Sequence, residues 1–448
     1  MKFRVERDAL GEAVAWVARE LPARPVIPVL SGLLMQASGD GLTLSCFDYE
    51  VSARVTVPAE VDDPGTALVP GRLLAEITRS LPSRDAEFSS VADMVRLACG
   101  SAEFELVSLP VGEYPGLPEP PAPVGTVDGG VLAAAAAQVV PSASRDDTLP
   151  MLTGVCLDVS GTAMTLAATD RYRLAVRTVP WTPAVPGLRA AALVPARTLA
   201  DVARTVGPGV PVTIAFSVPD QGGPASGPGE SRSAEPRPAE GMISFEGGGR
   251  RLTARLIGGD FIRYRSRFPA EFGCRAVLPV DQFTAAVRRV SLVAERVSPV
   301  RLTFGDGQVV IEAHTDGRAR AAETVRAMFT GTEPAISFNP GYLLDGLAAA
   351  AVCGAARSAT GAEGSGAEPE PGRIQLEFTS PAKPALITWA GYDTAPLAQE
   401  AAQDAGEIEG GAGAPAAAER VPGEDEAPAF RYLVVPLRSP SAAGAVSG

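Results

Sequence analysis

An internal repeat constrains the fold of this chain more than any other feature of its sequence. One opening unit, a short strand followed by an acidic or polar residue and an apolar helix, occurs near residues 2, 125 and 275. Its three copies read KFRVERDALGEAVAWVAREL, GTVDGGVLAAAAAQVV and RAVLPVDQFTAAVRRVSLVAER. The spacing between these three starting points equals the length of a whole domain. The chain is therefore predicted to contain three copies of one domain.

Further units follow each opening unit in the same order. Alternating apolar residues lead through a turn to a strand and an Asp in PVLSGLLMQASGDGLTLSCFDYEVSARV, PMLTGVCLDVSGTAMTLAATDRYRLAVR and PVRLTFGDGQVVIEAHTDGRARAAET. A strand, a proline and a helix follow in ALVPGRLLAEITRSL, ALVPARTLADVARTV and ISFNPGYLLDGLAAA, and proline is favoured where a helix starts. Closing strands complete each copy. The pattern predicts an α+β fold of three repeated domains, each with two helices packed on antiparallel sheets. Each domain is expected to contain about eight strands in all. The predicted domains are residues 1–122, 123–272 and 273–448.

The formal charge of -13 argues at first against a nucleic-acid partner, but its location changes that interpretation. Residues 219–240, 358–372 and 400–429 together hold 12 of the 13 excess negative charges. They are rich in Gly, Pro, Ala, Ser and Glu, a composition that predicts disordered loops. The rest of the chain is nearly neutral and can therefore carry a basic face.

The sequence contains no apolar run of signal-peptide or membrane-spanning length, so we expect a cytoplasmic protein with no membrane partner. The five cysteines are far apart and show no CxxC spacing. This spacing favours small buried apolar residues over a disulfide framework or a zinc site.

An enzyme is the main alternative from another functional class, and the sequence offers little chemistry for it. The one histidine, His314, lies in a predicted strand without a neighbouring nucleophile, so we expect a structural role. Asp48 and Asp170 could pair in a metal-dependent nuclease site, but both occupy the same point of the repeat, where a turn explains them more simply. We expect no catalytic residues, no metal and no cofactor.

Several short segments resemble the bacterial DNA polymerase III beta subunit, the sliding clamp family. They are MKFRVER, RPVIPVLSGLL, RDDTLPMLTG, ATDRYRLAVR and YLVVPLR, and their wording is similar to actinobacterial members. The resemblance covers nearly the whole chain outside the acidic segments. It implies a head-to-tail homodimer that closes a ring around duplex DNA without regard to sequence. It also implies binding to the DNA polymerase III alpha subunit, the clamp loader and other proteins with clamp-binding motifs.

The resemblance implies that the helices line the central hole. Sliding requires positive charge that faces phosphate without reading bases. The candidate DNA-facing residues are Arg19, Arg24, Arg72, Arg79, Arg197, Arg204, Arg288, Arg289 and Arg296. The alternative is that these arginines only solvate exposed helix faces. The family's aromatic DNA contacts are replaced here by Pro150 and Met151.

The resemblance also implies a pocket for short linear motifs. Its residues would be Leu152, Thr169, Asp170, Arg173, Leu174, Asn339, Tyr342, Leu433, Val434, Val435, Pro436, Leu437 and Arg438. The leucines and valines alternate as ordinary core strand residues also would, which is the competing interpretation. Arg173 and Tyr342 need polar partners if they are buried.

Three positions near this pocket depart from the family pattern. Ile262 replaces a proline, Ser266 replaces a basic or polar residue, and Arg267 stands where an aliphatic side chain lines the pocket. The chain also continues through residues 439–448, beyond the usual family end. We therefore hypothesise a divergent or paralogous clamp with altered partner preference, and a clamp-like scaffold that no longer closes on DNA is the alternative.

The resemblance places the dimer interface at Phe104 and Leu106 on one edge strand and at Ser291 and Leu292 on a third-domain helix. An alternating apolar edge strand without a partner favours aggregation, so burial at a dimer contact is expected. The alternative is that Phe104 and Leu106 belong to the core of their own domain.

Overall fold

The computed structural model describes residues 1–39, 41–217, 241–269, 271–294, 298–315, 318–360, 372–390 and 430–437. Arg296, Arg438, residues 439–448, the acidic segment 400–429 and almost all of the other two acidic segments lie outside the described residues. The prediction for 358–372 needs one correction, because a helix continues to Thr360. Its Ala-rich sequence explains this, since alanine has the highest helix propensity.

The predicted threefold repeat is confirmed, and each copy contains two helices. Their bounds are α1 (Arg7–Arg19), α2 (Gly71–Ser80), α3 (Gly129–Val139), α4 (Ala196–Thr205), α5 (Val280–Ser291) and α6 (Pro340–Thr360). Within the described residues each domain has nine strands, so the expected number of about eight was too low. The additional strands are short edge pieces, such as β14 below.

The strands follow the same order in each domain. Domain 1 contains β1 (Lys2–Val5), β2 (Gly32–Ser38), β3 (Gly41–Phe47), β4 (Val51–Pro58), β5 (Glu60–Asp63), β6 (Gly65–Pro70), β7 (Ala86–Val91), β8 (Met94–Cys99) and β9 (Ala102–Val107). Domain 2 contains β10 (Pro123–Asp128), β11 (Gly154–Ser160), β12 (Ala163–Thr169), β13 (Arg173–Pro180), β14 (Thr182–Pro183), β15 (Arg189–Pro195), β16 (Pro211–Phe216), β17 (Met242–Gly247) and β18 (Arg250–Arg255). Domain 3 contains β19 (Cys274–Pro279), β20 (Val300–Gly305), β21 (Gln308–Thr315), β22 (Ala319–Arg326), β23 (Met328–Thr330), β24 (Ala335–Phe338), β25 (Arg373–Phe378), β26 (Ala385–Trp389) and β27 (Phe430–Val434).

The acidic residue of the opening unit has a local structural function. The side chain of Glu6 accepts a hydrogen bond from the backbone N–H of Ala9 at 3.2 Å, and Asp128 accepts one from Val131 at 3.0 Å. Each therefore caps the start of a helix, where backbone N–H groups have no intrahelical partner. Asn339 caps α6 in the same way.

Two sheets continue across domain boundaries. A nine-stranded sheet runs β14-β10-β16-β17-β18-β4-β3-β2-β6 and joins domains 2 and 1 through β18 and β4. A second runs β15-β11-β12-β13-β27-β26-β25-β19-β23 and joins domains 2 and 3 through β13 and β27. The two remaining sheets, β5-β1-β7-β8-β9 and β22-β21-β20-β24, end in the edge strands β9 and β22.

The two junctions use equivalent positions of the repeat. Leu252 pairs with Ala53 across the first junction, and Tyr432 pairs with Ala175 across the second; each is the third residue of its strand. Helices also meet at these junctions, and they do so through the tenth residue of each helix. The indole N–H of Trp16 donates to the hydroxyl of Thr205 at 3.3 Å. The side-chain amide of Gln138 donates to the carbonyl of Ala349 at 2.7 Å.

The tight packing of α6 on β27 predicts opposite effects of the same substitution at two helix glycines. A Cβ added at Gly346 would lie 2.6 Å from two ring carbons of Tyr432, whereas one added at Gly11 would meet nothing closer than the Thr78 carbonyl at 3.9 Å. Gly346→Ala should therefore destabilise the protein by about 2 kcal/mol through overpacking. Gly11→Ala should stabilise it by about 0.5–1 kcal/mol through helix propensity. Thermal unfolding of both variants checks this, and stabilisation by both would contradict the described packing of α6.

Candidate DNA-facing surface and peptide pocket

The helices carry most of the arginines that the sequence suggested for DNA contact. Those within the described residues are all exposed: Arg19, Arg24, Arg72, Arg79, Arg197, Arg204, Arg288 and Arg289. Arg72 donates to the carbonyl oxygens of Leu21 at 3.2 Å and Pro22 at 3.3 Å, so it also holds the segment after α1. Arg204 forms an ion pair with Asp201 on the same helix.

Arg289 has a different environment from the other arginines of this set. Its guanidinium binds both carboxylate oxygens of Glu323, at 3.0 and 2.5 Å, and Glu323 belongs to the edge strand β22. Arg289 is also the tenth residue of α5, the position at which Trp16 and Gln138 cross domain junctions. The structure therefore separates Arg289 from the set and puts it beside the free edge of domain 3.

Glu20 is a charged residue of the same surface that the sequence interpretation missed. It follows α1, is more than half buried, and lies near Asp201 and Asp48 as well as Arg197 and Arg204. Burial, together with the charge of Asp201, raises the pKa of Glu20 to about 7. Burial also raises the pKa of Asp201. The one available sequence signal was an acid between Arg19 and Arg24 on an otherwise basic segment.

Arg173 is the centre of the predicted pocket residues at the junction of domains 2 and 3. Its side chain is only 10% exposed, and its Nε donates to Asp170 Oδ2 at 2.9 Å. It also forms an ion pair with Asp345 of α6, and its guanidinium lies 4.6 Å from the ring centroid of Tyr342. Arg173 therefore links the β12–β13 turn to domain 3 and holds Tyr342 in place. Asp345 was not predicted from the sequence.

The polar residues of the predicted pocket mostly organise the backbone. Asp170 Oδ1 accepts the N–H groups of Tyr172 at 3.0 Å and Arg173 at 3.1 Å, and the hydroxyl of Thr169 donates to the Arg173 carbonyl at 2.6 Å. Asn339 Oδ1 accepts the N–H of Tyr342 at 3.2 Å. Tyr172, which the sequence analysis did not include, stacks on Tyr342 with ring centroids 6.0 Å apart and is half exposed.

The apolar residues of the predicted pocket divide between two faces of the sheet. Leu174 and Leu433 are paired across β13 and β27 and belong to a small apolar cluster on the face away from the helices. Val434 is fully buried on the helix side. Leu152 and Pro436 are buried, while Val435 and Leu437 are partly exposed. The backbone N–H of Val435 donates to the carbonyl of Tyr172 and that of Leu437 to the carbonyl of Ser337, both at 2.8 Å.

Residues 257–269, which we call the strap, cross the outer face of this sheet between β18 and the start of domain 3. Ile257, Phe261, Ile262, Tyr264 and Phe268 pack on the cluster that contains Leu174 and Leu433. The hydroxyl of Tyr264 donates to the buried Asp158 at 2.9 Å, and Arg265 lies 2.8 Å from the same carboxylate. Ser266 and Arg267 point outward and are exposed. The strap therefore covers this apolar cluster and carries exposed side chains, including Arg267, on its outer side.

The predicted interface residues lie at or near the two free edges, but only Leu292 exposes most of its side chain. Leu106 is buried in its own domain at 3% exposure, and Phe104 is partly buried against the same core. Ser291 is partly exposed, and Leu292, which follows α5, is 84% exposed. Leu106 thus fits the competing interpretation of a core residue, whereas Leu292 has the exposure that an interface residue requires.

Two other expectations concern chemistry and membranes. Among the described residues, no group of three or more His, Cys, Asp or Glu side chains could hold a metal ion. No helix in the described part of the chain is long and apolar enough to span a membrane. All five cysteines are buried, as their spacing suggested.

The repeat, the fold and these surfaces define a clamp-type protein, and comparison with known proteins gives its family. The chain belongs to the DNA polymerase III beta subunit family, the bacterial sliding clamps, which are non-catalytic processivity factors. Models of the N-terminal, central and C-terminal domains of that subunit match residues 1–118, 126–262 and 265–353.

Relatives and solved structures agree with this assignment. The beta sliding clamp of Streptomyces coelicolor is 48% identical over 388 residues, covering 87% of this chain and 94% of that protein. The beta sliding clamp of Micrococcus luteus is 43% identical over 325 residues, covering 72% and 98%. A beta sliding clamp homolog of Streptomyces muensis, GriR, is 43% identical over 347 residues, covering 78% and 88%. The sliding clamp structure from Bacillus subtilis matches the fold with a TM-score of 0.76 at 22% identity, covering 98% of this chain and 99% of that one. The actinobacterial resemblance is confirmed.

The raised pKa of Glu20 predicts a specific dependence of stability on pH. Because the folded state binds more protons than the unfolded state between pH 4.5 and about 7, the free energy of unfolding falls as pH rises through that window. Glu20→Gln removes the buried charge and should stabilise the protein by about 1 kcal/mol near pH 8, with little effect near pH 5. Thermal midpoints across this range measure the difference. Glu113→Gln, at an exposed glutamate, is the control, and an equal effect of both substitutions would contradict the prediction.

Proposed function

We propose that two copies of this chain close head to tail into a ring around duplex DNA and hold the DNA polymerase III alpha subunit through a peptide motif. The observation that carries the proposal is the pair of equivalent junctions within the chain, which leaves β9 and β22 as the matching free edges. A ring of six domains needs one more junction type, used twice, and a second copy of the chain supplies it.

The repeat gives the register of this third junction. The third residue of β9 is Phe104 and that of β22 is Ala321, which correspond to Leu252 with Ala53 and to Tyr432 with Ala175. We therefore expect Phe104 to pair with the partner's Ala321. In each case a large side chain lies opposite an alanine, so the proposed contact has the size complementarity of the two existing ones.

Neighbouring positions of the proposed junction are complementary in charge. In this register Glu105 lies opposite the partner's Arg320, and both are exposed in the single chain. The tenth residues of α5 and α2 are Arg289 and Ser80, so Arg289 would reach the partner's Ser80 at the C-terminal end of α2. A cation at a helix C-terminus is favourable because unpaired carbonyls concentrate there. The exposed Leu292 would be covered by the same helix.

The ring would present its helices to the DNA. The exposed arginines Arg19, Arg24, Arg72, Arg79, Arg197, Arg204 and Arg288 supply positive charge on those helices and the segments beside them. Arginines that meet phosphates without reading base edges allow a ring to slide. We assign Arg289 instead to the dimer contact.

The junction of domains 2 and 3 would receive linear motifs of the alpha subunit, the clamp loader and other replication or repair proteins in the cytoplasm. Val435, Leu437, Tyr172 and Tyr342 supply the accessible apolar surface, and the buried Leu152, Leu174, Leu433 and Pro436 support it from beneath. Because the hydrogen-bonding groups of Arg173 already serve Asp170 and Asp345, we assign it the task of holding Tyr342 in place. A preorganised surface of this kind loses little entropy when a peptide binds.

A topological test separates a closed ring from a protein that binds DNA only by charge. The protein is threaded onto linear DNA that is tethered at one end, the free end is blocked with streptavidin, and the DNA is washed at high salt. Electrostatic binding is lost in high salt, whereas a closed ring stays until the DNA is cut. We expect most of the protein to remain on blocked DNA and to leave after restriction cleavage. Equal loss from blocked and unblocked DNA would instead support the scaffold that no longer encloses DNA.

The proposed dimer register predicts a charge-swap result. Arg320→Glu should weaken the dimer by about 1 kcal/mol at each of the two contacts, because Glu105 then faces a like charge. Glu105→Arg combined with Arg320→Glu should restore most of the loss. Sedimentation of the dimer at several concentrations measures this. Arg301→Glu is the matched control and should leave the dimer unchanged. Arg301, like Arg320, lies beside Glu312 on β21, but it belongs to the inner strand β20 and not to the edge strand. No rescue by the double variant would exclude this register.

A further inference from the structure

An ionic cluster lies where α1 of domain 1 meets α4 of domain 2. Glu20 directly follows α1, and Asp201 is the sixth residue of α4. The hydrogen bond from the Trp16 indole to the Thr205 hydroxyl holds the two helices together beside this point. Both carboxylates are partly buried. Two like charges therefore share a junction in which water screens them only in part.

Positive charges from both domains surround the two carboxylates. Arg204 forms an ion pair with Asp201, and the charges of Arg197 and Arg204 act on Glu20 as well as on Asp201. The titratable and charged groups that face or adjoin the two carboxylates from the elements packed there are Arg19, Cys46, Asp48, Arg72, Arg197 and Arg204. The cluster is therefore a network of both charges across a domain junction.

Glu20 is the group of this network that changes charge near neutral pH. Burial, together with the charge of Asp201, raises the pKa of Glu20 to about 7. Burial raises the pKa of the Cys46 thiol to about 12, so this thiol stays neutral. Asp48 Oδ1 accepts the backbone N–H groups of Glu50 at 3.0 Å and Val51 at 2.7 Å. One proton on Glu20 therefore sets how much negative charge Arg197 and Arg204 meet within the fold.

Arg197 and Arg204 belong to a row of arginines that continues from domain 1 into domain 2 and stops there. The second and ninth residues of α2, α4 and α6 are Arg72 and Arg79, Arg197 and Arg204, and Gly341 and Ala348. Arg197 and Arg204 are exposed, so a phosphate can reach them. The two carboxylates and a DNA backbone would therefore compete for the same two guanidinium groups.

We propose that Glu20 and Asp201 compete with DNA phosphate for Arg197 and Arg204, so that the chain takes up a proton at Glu20 when DNA binds. This inference rests on the proposed ring around DNA and names two residues that set its affinity. A phosphate beside the arginines repels the Glu20 carboxylate, which accepts a proton from solvent and becomes a neutral carboxyl group. The arginines then serve the phosphate alone. DNA therefore binds more tightly below pH 7 than above it.

Binding of the full-length protein to a short fluorescein-labelled duplex at low salt tests the proposal. Fluorescence anisotropy should show binding about sixfold tighter near pH 6 than near pH 8, from about 2.5-fold in each of two chains. Glu20→Gln should bind at both pH values as tightly as the unaltered protein does near pH 6. Asp201→Asn should bind more tightly near pH 8 and shift the pH dependence to lower pH, because the charge of Asp201 raises the pKa of Glu20.

A matched variant and a proton count separate this competition from a general effect of charge. Glu76→Gln is the control, since Glu76 is the exposed sixth residue of α2, the position that Asp201 has in α4. It should raise the affinity equally at both pH values. Titration calorimetry in two buffers of different ionisation enthalpy should show uptake of about 0.3 proton per chain near pH 7, and Glu20→Gln should abolish this uptake.

The possible outcomes distinguish this inference from the proposed function. An unchanged pH dependence in Glu20→Gln, or no proton uptake by the unaltered protein, would overturn the competition and leave the ring intact. Loss of the pH dependence in Glu76→Gln would assign it to total charge, and the proposal would be wrong. Failure of every variant to bind the duplex at either pH would overturn the ring itself, and the competition with it. Glu20→Gln is expected to stabilise the fold, so unfolding does not obscure these results.

Discussion

Backbone hydrogen bonding across domain boundaries is the constraint on which the rest of this structure depends. A β-strand at a sheet edge has unpaired N–H and C=O groups, and burial without partners is costly. The chain satisfies these groups by joining β18 to β4 and β27 to β13, so that each domain completes the sheet of the next. Because every domain has the same strand order, the two junctions join equivalent strands. A chain built this way leaves the equivalent strands β9 and β22 as edge strands in its first and third domains.

Equivalent positions at the two junctions carry different side chains, and this difference makes the two junctions chemically distinct. The second residue of β13 and the fourth of β27 are Leu174 and Leu433, which form the apolar floor beneath the strap. The same positions of β4 and β18 are Ser52 and Thr253, which are buried and polar. Only the first pair is apolar and packs beneath the strap. One repeated backbone therefore supports an apolar cluster at one junction and polar contacts at the other.

The charge clusters at the two internal junctions also differ at equivalent positions. Asp201 and Asp345 are both the sixth residue of their helices. At the junction of domains 2 and 3, Arg173 neutralises Asp345 together with Asp170. At the junction of domains 1 and 2, the position of Arg173 is occupied by Val51, and the neighbouring acid Glu20 has a pKa near neutrality. The same carboxylate position is therefore paired across the junction in Asp345, whereas in Asp201 it lies beside Glu20, which titrates near neutrality.

Much of the fold could be predicted from the sequence because the repeat presents each element three times. Glu6 and Asp128 marked helix starts, and the capping hydrogen bonds explain why acids stand there. The environments of Glu20 and Arg173 could not be predicted, because they depend on Asp201 and Asp345 in the next domain. Period-2 alternation showed which strand residues share a face, but not that Leu106 lies inside its own domain. Pairwise contacts between distant repeats have no local sequence signal.

The alternation of side chains along β13 explains how one sheet presents two chemically different faces. Arg173, Ala175 and Arg177 point towards the helices, where Arg173 meets Asp345 and Arg177 reaches Cys353 of α6 at 3.4 Å. Leu174 and Val176 point the other way, into the cluster beneath the strap. A strand places successive side chains on opposite faces, so charge needed on the helix side does not interrupt the apolar floor. The strap therefore packs on one face of this sheet, and the charged contacts to the helices lie on the other.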